Sequence, residues 1–104
     1  MIHKMFAIHD LAAGAYLPPF TLHQPAMAVR AFANMTNDIT HAFGKNPEDY
    51  SLYLIGEYDD TNSKIIPYDR ELIATGIETI KGINDEQISH GPSILSSTRG
   101  GNTA

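Results

Sequence analysis

The sequence predicts an α+β fold: a small, mostly antiparallel sheet with one amphipathic helix (about 26–37) and a β-hairpin (about 51–68). Three observations predict it. "KMFAIHD", residues 4–10, alternates as a strand does. Ala28, Phe32, Met35 and Ile39 recur at steps of four, three and four, a helical stripe. "YSLYLIGEYDDTNSKIIPY" sets two extended runs around a polar turn.

In the first strand, Phe6 and Ile8 share one face while Met5, Ala7 and His9 share the other. Both faces are largely apolar, which predicts a central position. "LAAG" allows a turn at Gly14, and "AYLPPFTL" must then be extended. Pro18 and Pro19 have no N–H for a ladder and hold their predecessors out of the helical region. The segment is therefore an edge strand or an extended arm. Pro25 suits the first turn of a helix, where its missing N–H would be unpaired anyway. The helix is expected to fray through "NDITHAFG" and to break over Gly44 to Pro47.

In the hairpin, Leu52 and Leu54 oppose Tyr53, Ile55 and Glu57, with "DDTNS" as turn chemistry. Pro67 marks the strand end or an exposed edge. "RELIATGIETIKG" fits both periods; Gly76 and the threonines favour a further strand. After Gly82, the Gly-, Ser-, Asn- and Thr-rich stretch lacks a period and reads as a mobile tail over 82–104. One domain over 1–81 follows, and 104 residues are enough for one core.

The chain has no cysteine, which excludes disulfides, thiolate zinc sites and thiol catalysis. No window approaches the roughly 18 apolar residues of a membrane helix. His3, Lys4, His9 and Asp10 interrupt the start where a secretory signal would be apolar. A soluble intracellular protein is expected. Net charge is −5, from 7 Lys and Arg against 12 Asp and Glu, which argues against unspecific polyanion binding. Residues 1–50 are the less acidic part, with Lys4, Arg30 and Lys45 against Asp10, Asp38, Glu48 and Asp49. An anionic ligand is expected to meet that half.

His3, His9, His23 and His41 lack a close metal-binding pair, and His3 and His9 would stand about 20 Å apart on a strand. They read as ordinary strand and loop residues. "DDTNS" lacks the glycine and closing glutamate of a calcium loop, so a solvated hairpin tip explains it better. No nucleophile elbow, Walker loop or dinucleotide fingerprint occurs. Enzyme function has no sequence support, and no cofactor or metal is expected.

Binding of single-stranded nucleic acid needs exposed aromatic faces and a few cations along the backbone. Tyr16 and Phe20 on the proline arm, with Lys4, Arg30 and Lys45, can supply both, and Tyr50 and Tyr53 add hairpin surface. The alternative is that these rings simply build a small core. Neutralising about three phosphates would give a salt slope near −2 on single strands. "LPPF" also suits docking to a protein partner or a second copy, or it merely shields a sheet edge.

The blocks "MIHKMFAIHD", "AGAYLPPFTLHQ", "AMAVRAF" and "FGKNPEDYSLYLIGEYDDTNSKI" occur in order over about residues 1–68. In them the chain resembles the small nonstructural protein of gokushovirus-type microviruses, described as DNA-binding. The resemblance implies a non-virion phage protein acting on single-stranded DNA in the bacterial host cytoplasm, during replication or packaging. It brings no assigned binding residues. The expectation is a homo-oligomeric single-stranded-DNA-binding accessory protein. The alternative is an adaptor that recruits a phage or host replication component without touching DNA.

Overall fold

The chain starts with a nine-residue strand, β1 (Ile2–Asp10), and turns back on itself through Gly14 at φ 68°. This left-handed conformation suits glycine. The computed structural model describes residues 1–80, so the tail expected over 82–104 lies outside the described residues. Two short strands, β2 (Ala15–Tyr16) and β3 (Phe20–Leu22), both pair antiparallel with β1. Between them Leu17, Pro18 and Pro19 stand opposite only Ala7 and Ile8. The proline pair therefore sits in an irregular break, with the Leu17 N–H still donating to the Ile8 carbonyl at 2.8 Å. "AYLPPFTL" is an interrupted edge strand, and its prolines occupy the place where a ladder can spare their N–H groups.

Helix α1 (Pro25–Thr36) has Pro25 in its first turn and Gln24 in extended conformation before it, without a side-chain cap. Its inward stripe is Ala28, Phe32 and Thr36, all buried. The expected stripe ends early, because Ile39 is 80% exposed. The region expected to fray and break forms a separate short helix, α2 (Ala42–Lys45). His41 caps it, its Nδ1 accepting from the Phe43 N–H at 3.0 Å. A 3₁₀ turn over Pro47–Asp49 leads into β4 (Tyr50–Asp59), which returns as β5 (Lys64–Thr75).

The sheet order is β2–β1–β4–β5, antiparallel throughout, with β3 also on β1. β1 is central, as its two apolar faces predict. Two sequence expectations change here. Of the two readings of Pro67, the exposed edge holds and the strand end does not: β5 runs on to Thr75, so the hairpin and the ambiguous segment after it form one strand. Pro67 is tolerated because β5 is an edge strand and its pairing is irregular there. In addition, Met5 pairs with Gly56 and Phe6 with Leu54, so Ile55 is an extra, bulged residue. The bulge switches the faces of β4 beyond it. Glu57 is thus on the side of Lys4, not on that of Tyr53 as simple alternation predicts.

The core lies between α1 and one face of the sheet. Phe6, Phe32 and Leu52 are fully buried, joined by Ile8, Ala28, Phe43, Leu54 and Ala74. Burying such side chains contributes about 1.5–3 kcal/mol each. The last 3₁₀ turn, Ile77–Thr79, closes the end of α1. The Thr79 hydroxyl is 2.6 Å from that of Thr36, and the Asn37 amide donates to the Thr79 carbonyl at 2.7 Å.

Candidate nucleic-acid interface

One face of the sheet packs on α1; the other is open. On β1, alternation puts Phe6 and Ile8 inward and His3, Met5, Ala7 and His9 on the open face. Register brings Tyr16 beside His9 and Tyr53 beside Ala7. The rings touch edge to face: His9 and Tyr16 centroids are 4.7 Å apart, Tyr16 and Tyr53 5.7 Å. Arg70 of β5 lies across both tyrosines, its guanidinium carbon 5.1 Å from the Tyr53 ring centre and 5.8 Å from that of Tyr16. It also donates a hydrogen bond to the Tyr16 hydroxyl. The result is an aromatic surface with a planar cation on it, Tyr16 and Arg70 exposed and Tyr53 half-buried. Bases stack on such rings and on guanidinium planes.

The seven residues singled out in the sequence are divided by the fold. Tyr16 and Tyr53 come together here. Phe20 turns to the helix side, stacked on Phe6 at 5.7 Å and packed on the core, because register pairs it with an inward-facing residue. Tyr50 packs on Phe43 at 4.2 Å, and burial, reinforced by Asp10 and Asp49, raises its pKa. Lys4 donates to the Tyr68 hydroxyl at 3.0 Å, and that hydroxyl donates to Glu57 at 2.6 Å. The bond to Tyr68 raises the Lys4 pKa and engages its ammonium on the helix side. Arg30 is exposed on α1, across the sheet from the tyrosines, and Lys45 is exposed on α2. The expected group of three local cations therefore does not assemble; the cation beside the two tyrosines is Arg70.

Sequence reasoning missed Arg70 and His9 as neighbours of the tyrosines. The signal for Arg70 was a strand continuing beyond Pro67, which the proline concealed. Among the described residues no three His, Asp or Glu side chains converge as a metal site, and no helix is long and apolar enough to cross a membrane.

Fold and surface together define a small α+β domain whose sheet is covered by helix on one side and bears aromatic rings on the other. The chain belongs to the Phage ORF5 protein family, whose model matches residues 3–79, from β1 to the last 3₁₀ turn. It is thus a small phage protein. No curated protein and no solved structure matches it.

Proposed function

We propose that this phage accessory protein binds single-stranded DNA on the open sheet face, with bases stacking on Tyr16 and Tyr53 and a phosphate or base meeting Arg70. The observation that carries the reading is the Arg70–Tyr16–Tyr53 cluster: two adjacent rings and a guanidinium plane on an uncovered sheet. Stacking contributes about 1–3 kcal/mol per base and does not require a basic protein. This is how a chain of net charge −5 can hold a polyanion. Resemblance to the gokushovirus nonstructural protein supports the same reading, with a role in genome replication or packaging in the host cytoplasm. Fluorescence anisotropy with labelled oligo-dT at two salt concentrations tests it; absence of binding at low salt rejects it.

The second reading, an adaptor for a phage or host replication protein or for a further copy of this chain, is favoured by one observation. Leu72, paired with Tyr53 and 50% exposed, adds an apolar side chain to the same surface. Capture of a protein partner without any oligonucleotide shift decides for it.

A further inference from the structure

The open face carries a second ring cluster, at the hairpin end of β1. His3 stacks on His23 with centroids 4.9 Å apart and planes at 25°. Tyr58, the register partner of His3, lies 6.3 Å away on the other side. His3 alternates onto the same face as His9, and six residues of strand separate the two by about 20 Å. His23 is exposed, while His3 and Tyr58 are half-buried.

We infer that the His3–His23–Tyr58 cluster is a second stacking subsite on one single-stranded nucleic-acid track, which runs along β1 from the Tyr16–Tyr53 pair to the hairpin end. The inference rests on the reading of the Tyr16–Tyr53–Arg70 cluster as a nucleic-acid site. Imidazole rings stack on unpaired bases as Tyr and Phe do. A track of about 20 Å takes several nucleotides, in keeping with the roughly 4–16-nucleotide footprints of single-strand-binding domains.

Charge is sorted across the sheet in the sense that such a track needs. Asp10 alternates with Ile8, and register puts Glu57 and Asp59 with Lys4 and Ile2, and Glu71 with Leu54, all on the helix side. The open face has Arg70, three imidazoles and, at its hairpin end, the Asp60 carboxylate beside His3. The groups that face the second cluster are few. Asp60 accepts from, or pairs with, His3 Nε2 at 2.8 Å, and its other oxygen takes the Met1 ammonium at 2.7 Å. Tyr58 and the two imidazoles complete the set. Asp60 thus engages His3, and His23 is the exposed ring of the stacked pair.

Anisotropy titrations with oligo-dT of about three and about twelve nucleotides test the track. The variants are His23→Gln, Tyr58→Leu and Tyr53→Leu, with a circular-dichroism melt for each. The longer strand is expected to bind the wild type at least about tenfold tighter than the shorter. His23→Gln and Tyr58→Leu are expected to reduce the affinity of the longer strand while leaving the shorter strand bound at the tyrosines. If His23→Gln and Tyr58→Leu leave the length dependence unchanged while Tyr53→Leu weakens both strands, the second subsite is wrong and the first stands. If neither strand binds the wild type, both are wrong.

Discussion

The guanidinium carbon of Arg70 stands 5.1 Å from the centre of the Tyr53 ring, although sixteen residues and an irregular strand pairing separate them. Tyr53→Ala and Arg70→Ala are each expected to weaken oligo-dT binding by about 5- to 150-fold, the equivalent of about 1–3 kcal/mol of stacking. Arg70→Lys keeps the charge but not the plane, and an intermediate loss is expected. Anisotropy at fixed salt reads the loss, and a melt confirms that these partly exposed positions leave the fold intact.

Arg30 and Lys45 serve as controls from outside the open face. The double variant Arg30→Ala, Lys45→Ala is expected to bind oligo-dT within about twofold of wild type at moderate salt, where long-range charge is screened. With Arg70 as the cation in contact at neutral pH, the logarithmic salt slope is expected near −0.7, shallower than three local cations would give. A slope near −2 at neutral pH would restore the three-cation picture.

Core packing predicts where stability resides. Phe32 is fully buried between α1 and the sheet, so Phe32→Ala is expected to cost about 3–5 kcal/mol. Phe20→Ala, at a half-buried position beside Phe6, is expected to cost less. Urea denaturation of both variants measures the difference.

Two glycines separate local strain from close approach. A Cβ on Gly76 would lie 2.0 Å from the Pro47 carbonyl oxygen, whereas around Gly14 nothing lies within 4 Å. Gly14→Ala is expected to cost about 1–2 kcal/mol for its positive φ alone. Gly76→Ala must push the last turn away from the Pro47 segment, and its melting temperature is expected to fall further. Equal melting temperatures would contradict that close contact.

Acid sensitivity follows from two turn aspartates. The Thr40 hydroxyl, and then its N–H, lower the pKa of Asp38; the Thr61 hydroxyl and N–H do the same for Asp59. A carboxyl with a lower pKa folded than unfolded adds stability above its unfolded value, about 3.9, and loses it as pH falls through the folded value. Melting temperature is therefore expected to be insensitive to these groups down to about pH 5 and to drop below about pH 4. Asp38→Asn with Asp59→Asn, which keeps an acceptor at each turn, is expected to flatten the drop.

Local pattern determined much of this protein. Alternation in "KMFAIHD", the Ala28–Phe32 stripe behind Pro25 and the turn residues after Asp59 specify a strand, a helix and a hairpin, because each needs only the periodicity of neighbouring residues. The α+β class and the exclusion of Pro18 and Pro19 from a central strand follow from the same short-range chemistry. Which side each ring faces was not legible. The Ile55 bulge and the continuation of β5 past Pro67 depend on what lies across the ladder, and one extra residue reverses every side chain beyond it. Tertiary pairing alone thus turned Phe20 to the core side, tied Lys4 to Tyr68 and laid Arg70 over Tyr16 and Tyr53. A binding face is a property of several strands in register, and no single strand encodes its neighbours.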